Sequence, residues 1–105
     1  PNEVLVIGNP VGMNWAISNI AYASISSNTT FNFNNVSDGQ TLTMYVENTD
    51  ASNPRTATFA SGSAVVWDGE YSNTAPSIAA DRSNVYTFVR INTGIFASAV
   101  TGYVY

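Results

Sequence analysis

Along most of the chain apolar and polar residues trade places one by one, and no long window keeps a helical repeat. The clearest run is Thr41 to Asn48 (TLTMYVEN), with Leu42, Met44 and Val46 on one side and Thr41, Thr43, Tyr45 and Glu47 on the other. Asn84 to Ile91 (NVYTFVRI) sets Val85, Thr87, Val89 and Ile91 against Tyr86, Phe88 and Arg90. Thr30 to Asn34 puts Phe31 and Phe33 on one face. A two-residue period is that of a strand with one face buried. Val4 to Ile7, Thr56 to Ala60, Ala64 to Trp67 and Ile95 to Val100 are further strand candidates, and Thr101 to Tyr105 adds a last short one. Trp15 to Ile25 fits two patterns. Ile17, Ala21 and Ser24 share a helix face, while Ala21, Ala23 and Ile25 against Tyr22 and Ser24 fit a strand. No cap or charge pair brackets a helix, so a strand is expected.

Turn residues divide these runs. Gly8-Asn9-Pro10 follows the first, and Ser37-Asp38-Gly39-Gln40 separates two alternating runs, with Gly39 available for positive φ. That arrangement predicts a hairpin. Asn92-Thr93-Gly94 predicts a second, more compact one. Thr49 to Pro54 and Asp68 to Ser83 are the longest irregular segments. Seven to nine short strands between turns predict one all-β domain over residues 1–105, an antiparallel, jelly-roll-like β-sandwich. Residues 1–29 are a candidate connecting or docking segment. The expected core holds Phe31, Phe33, Leu42, Met44, Val46, Phe59, Val65 and Val89, with Phe88 opposite Val89.

Composition narrows the function. Apolar residues make up 45% of the 105, enough for a core, while charged residues are only 10% against an ordinary ~25%. The basic residues are Arg55, Arg82 and Arg90, there is no lysine, and the net charge is −4. Three scattered arginines do not make a phosphate-binding surface, so no nucleic acid is expected as a partner. No apolar run approaches the ~20 residues that span a bilayer, and no membrane insertion is expected. The chain opens Pro1-Asn2-Glu3, without a methionine or a leader pattern, and reads as a processed piece of something longer. Asn28-Thr29-Thr30 and Asn35-Val36-Ser37 fit a glycosylation sequon, as chance supplies in a chain so rich in Asn, Ser and Thr.

Catalytic chemistry finds little to work with. Histidine and cysteine are absent, which removes the usual proton-transfer partner of a nucleophile and the thiolate metal ligands. Asp68 and Glu70 could act together as a carboxylate pair, but Asp68-Gly69 is more simply a turn. Asp38, Asp50 and Asp81 sit in loops without the spacing of a calcium loop. No cofactor and no enzymatic activity are expected.

Several segments in order resemble the small β-structured C-terminal modules of tailed-phage tail fibres and related virion proteins. They are SDGQTLTMYVEN (Ser37 to Asn48), TATFASG (Thr56 to Gly62), VVWDG (Val65 to Gly69), TAPSI (Thr74 to Ile78) and NVYTFVRINTGIFASAV (Asn84 to Val100). The likeness runs from about Thr30 to Val100. Gly69 to Thr74 is longer here than the link those modules carry. The resemblance implies a non-enzymatic virion protein at a fibre tip, spike or decoration site on the particle surface. It also implies a homotrimer in contact with other virion proteins. The alternative is a free-standing carbohydrate-binding module of a secreted protein. Binding residues tend to sit on loops that a scaffold displays. The candidate receptor-facing residues are therefore Glu70, Tyr71, Asn73, Asp81 and Arg82 in the Asp68 to Ser83 segment, the competing expectation being that this segment packs between subunits. Tyr71 offers an aromatic face, Asn73 and Asp81 offer hydrogen bonds to the hydroxyls of a cell-surface glycan, and Arg82 could meet an acidic sugar or Asp81 itself.

Overall fold

The computed structural model describes residues 4–7, 12–16, 18–60, 64–69 and 74–105. Its strands are β1 (Val4–Ile7), β2 (Gly12–Asn14), β3 (Ile20–Ile25), β4 (Thr29–Asn34), β5 (Thr41–Asn48), β6 (Ala57–Ala60), β7 (Ala64–Trp67), β8 (Ser83–Ile91) and β9 (Gly94–Tyr103). The protein is all-β, with no α-helix among the described residues. The two-way stretch from Trp15 resolves as a turn that buries Trp15, followed by strand β3. A six-stranded sheet has the order β1-β3-β5-β8-β9-β7, and a three-stranded sheet the order β2-β4-β6.

The expected antiparallel arrangement is corrected. Among the strand pairs of the described residues, β5–β8 and β8–β9 are antiparallel, while β1–β3, β3–β5, β2–β4, β4–β6 and β7–β9 are parallel. The path explains it. From β1 to β6 the chain alternates between the sheets, so each strand lands beside its predecessor in its own sheet and runs the same way. The result is a coil of two strands per turn.

The Asp38-Gly39 turn therefore makes no hairpin. Strand β4 pairs with β2 and β6, and β5 with β3 and β8. Six residues, Asn35 to Gln40, suffice to cross the ~10 Å between stacked sheets, turning at Asn35 (φ 60°) and Gly39 (φ 82°). Gln40 fixes this link by donating from Nε2 to the Trp15 carbonyl (2.8 Å) and to Asn19 Oδ1 (2.7 Å). Between β8 and β9 only Asn92 and Thr93 intervene. That length allows nothing but the expected hairpin, and Asn92 takes the positive φ (57°) that such tight loops use.

The sheets meet through aromatic rings. Phe33 packs edge-on against Phe88 at 4.8 Å, and Phe59 lies 4.9 Å from both Tyr86 and Phe88. Leu42, Met44, Val46, Ile95 and Ala97 complete the large sheet's inner face, all buried. Each of the four larger side chains contributes about 1.5–3 kcal/mol by leaving water, and Ala97 less. Phe31, Phe33, Leu42, Met44, Val46 and Phe59 are buried as expected, and Val65 is partly buried against them. Val89 is corrected: it lies on the outer face, and Phe88 takes the core place. Register decides this, because Leu42 faces Phe88 and Thr41 faces Val89 across the ladder, and residues opposite each other share a side of the sheet.

Two buried asparagines tie the loops to this frame. Asn48 donates from Nδ2 to the carbonyls of Asn53, Ile78 and Ala79 (2.9–3.2 Å). Asn84 donates to the Ser77 carbonyl and to the Tyr86 hydroxyl, and its Oδ1 accepts the Gly102 amide at 3.2 Å. That last bond satisfies an irregularity, because the β8–β9 register slips between Ser83 and Val85 and places Gly102 at φ 83°.

Candidate functional site

The side chains that β3, β5, β7, β8 and β9 do not send inward make up the outer face of the large sheet. Register lays them in rows. Tyr22 is level with Tyr45, Tyr45 with Val85, and Val85 with Val100. Thr43, Thr87 and Ser98 form the next row, and Thr41, Val89, Phe96 and Val66 the one beyond it. The two ends of this face differ in chemistry.

At the β3–β5 end the rings of Tyr22 and Tyr45 stack at 5.7 Å and 15°. Two residues further along each strand, Ser24 is level with Glu47. Three hydroxyls donate to that carboxylate: Tyr22 (2.9 Å) and Ser24 (3.2 Å) to Oε2, and Tyr45 (3.1 Å) to Oε1. Burial raises the pKa of Tyr45 above the ordinary phenol value; the hydrogen bond with Ser83 opposes this and Glu47 adds to it. Close by, the Tyr105 hydroxyl donates to the Asn48 carbonyl (2.7 Å) and lies 3.2 Å from Asp81 Oδ1. Its pKa too is raised, by burial first and then by Asp81.

At the β8–β9–β7 end the face is mostly apolar, with Thr87 and Ser98 as its polar row. Val66, Phe96 and Val100 are 39%, 46% and 58% exposed. The only charged residue in these three strands, Arg90, falls on the inward parity and donates to the Val36 carbonyl. Phe96 lies over Gly94, where a Cβ would come within 3.2 Å of its ring. A shallow groove of about 280 Å³ runs past Phe96, lined by Val66, Val89 and Ser98, with Asp68 at its border.

Of the residues expected to face a receptor, Glu70, Tyr71 and Asn73 lie outside the described residues, and with Glu70 goes the Asp68–Glu70 pair. Asp81 stands beside Tyr105 in a left-handed conformation (φ 58°). Arg82 donates to the main-chain carbonyl of Asp81 at 3.0 Å, not to its carboxylate. Residues 74–82 are held to the body of the fold: Ile78 is buried and bridges Arg55, and Pro76 accepts from the Tyr86 hydroxyl at 3.0 Å. The three loop aspartates do not converge. Asp38 caps the Asn92 amide at one end of β5. Asp50, at the other end, accepts from the Ser52 and Asn53 amides and from Arg55 at 2.6 Å. Among the described residues no group of three or more potential ligands could hold a metal. No helix there is long and apolar enough to cross a membrane.

Sequence reasoning set Tyr45 and Glu47 on one side of a strand but missed their meeting with Tyr22 and Ser24. The alternation of Tyr22 and Ser24 was the available signal; the parallel pairing of β3 with β5 was not. No family model, curated protein or solved structure matches this chain.

Proposed function

We propose that this chain is a non-enzymatic structural module of a virion, a fibre tip, spike or capsid decoration, that assembles as a homotrimer on the particle surface. In this reading the two sheets are the layers of a β-sandwich, and its coiled parallel half sets it apart from an ordinary jelly roll. The observation that carries the reading is the apolar end of the outer face. Exposed Phe, Val and Ile on one surface, with its one carboxylate, Asp68, at the border, are what a subunit contact requires, since charge is depleted at interface centres and aromatics are enriched there. Low charge leaves copies little electrostatic reason to stay apart. Closed symmetry would also cover sheet edges that carry no lysine. The ordered motifs from Ser37 to Val100 supply the virion context, with other virion proteins as neighbours and a cell-surface glycan as the receptor class.

Native mass spectrometry or light scattering at micromolar concentration tests it. A mass three times the 11.2 kDa of the chain is expected, and a monomer overturns the assembly. The stacked tyrosines favour one alternative, a free-standing carbohydrate-binding module, which a sugar-binding monomer would support.

A further inference from the structure

The geometry points to Tyr22, Tyr45 and Glu47 as a subsite for a neutral, hydroxyl-bearing sugar, an inference that rests on the receptor-binding part of the reading above and not on the assembly. The hydrogen-bond inventory comes first. Tyr22, Ser24 and Tyr45 all spend their O–H hydrogens on Glu47, and Tyr105 spends its own on the Asn48 carbonyl. What the cluster turns outward is therefore acceptor capacity. A carboxylate offers about four lone-pair sites, of which three are filled here, two on Oε2 and one on Oε1, so a site on Oε1 remains to offer. The matching ligand group is a donor, and sugar hydroxyls are donors.

Charge then selects among sugars. Among the described residues neither Glu47 nor Asp81 is ion-paired, the single ion pair being Arg55 with Asp50. Arg82, next to Asp81 in sequence, is turned to a main-chain carbonyl. With a chain net charge of −4, the cluster repels carboxylated and sulfated glycans and admits neutral ones. The half-buried rings supply the remaining requirement, an aromatic surface for the C–H face of a pyranose. The place is compatible with assembly as well, because β3 and β5 lie on the opposite side of β8 from β9 and β7, which carry Phe96, Val100 and Val66.

The test titrates the assembled protein with neutral hexose and N-acetylhexosamine oligosaccharides and with their sialylated, sulfated and uronic counterparts, followed by NMR chemical shifts. Saturable binding of a neutral member is expected, with anionic counterparts at least tenfold weaker. Glu47→Gln should weaken the neutral ligand tenfold or more with mass and thermal midpoint unchanged. Tyr22→Phe keeps the ring, removes one hydroxyl and should weaken it less. The inference is overturned if no neutral sugar binds, if anionic sugars bind as well, or if both variants keep wild-type affinity. It is also overturned if these residues bind only a Lys/Arg-rich peptide. None of those results changes the mass of the assembly. A monomer that still binds the sugar would instead remove the virion reading and leave this one standing.

Discussion

Strands β5 and β9 belong to one sheet and both turn one side to the aromatic interior, yet their other sides are unlike. On β5 the outward residues are Thr41, Thr43, Tyr45 and Glu47; on β9 they are Phe96, Ser98 and Val100. A sheet with one solvated face normally shows the clean alternation of β5. Strand β9 keeps the inward half of that pattern, with Ile95 and Ala97 buried, and abandons the outward half. The difference separates a surface patterned for water from one that leaves Phe96 and Val100 exposed to it.

The inward side should dominate stability on both strands. Phe88→Ala removes a ring in contact with Phe33, Phe59 and Trp67. It should cost about 3–5 kcal/mol in chemical denaturation. Asn48→Ala comes next, because three loop carbonyls lose their buried donor together. A loss of about 2–3 kcal/mol is expected, with hydrogen exchange rising first around residues 50–55 and 78–82. If β5 proved indifferent to that change, its role as the frame for both loops would be wrong.

Acid probes the same end of β5 more gently. Backbone amides, Ser52 foremost, and Arg55 hold the Asp50 carboxyl at a pKa of about 2, against an ordinary 3.8. A depressed carboxylate stabilises the fold above its unfolded value, and that contribution fades as pH falls from about 3.8 through 2. Thermal midpoints between pH 5 and pH 2 should drop less steeply in Asp50→Asn than in the wild type.

The smallest effect on stability should come from the outward side of β9. Phe96→Asp touches no core contact and should shift unfolding by no more than about 0.5 kcal/mol. The same change places a charge in the centre of the uncharged strip, so the assembled mass should fall to that of one chain. Thr43→Asp on β5 should leave the assembly intact. If the two variants behave alike, the contrast between the strands carries no meaning for association.

Most of the strands were legible because alternation is a local property. Met44 and Val46 declare their side of β5 whatever lies next to it. What was not legible was who pairs with whom. The Asp38-Gly39 turn has hairpin chemistry, yet six residues let the chain change sheets, where Asn92-Thr93 had no such freedom. Val89 and Phe88 show the same limit. Both are apolar and adjacent, and only the register against Leu42 sends the ring inward. The tyrosine–carboxylate cluster depends on that non-local information entirely, since Tyr22 and Glu47 stand 25 residues apart.

The coiled path from β1 to β6 also sets a pace. A hairpin such as β8–β9 can zip from its own turn within microseconds. Strand β5 joins β3 across the whole stretch of chain that carries β4 into the other sheet, so that pairing must first bear the entropy of closing a longer loop. Such a chain should fold slowly, on the millisecond-to-second scale of non-local β topologies, with its C-terminal hairpin waiting, already formed, for the coil to close over it.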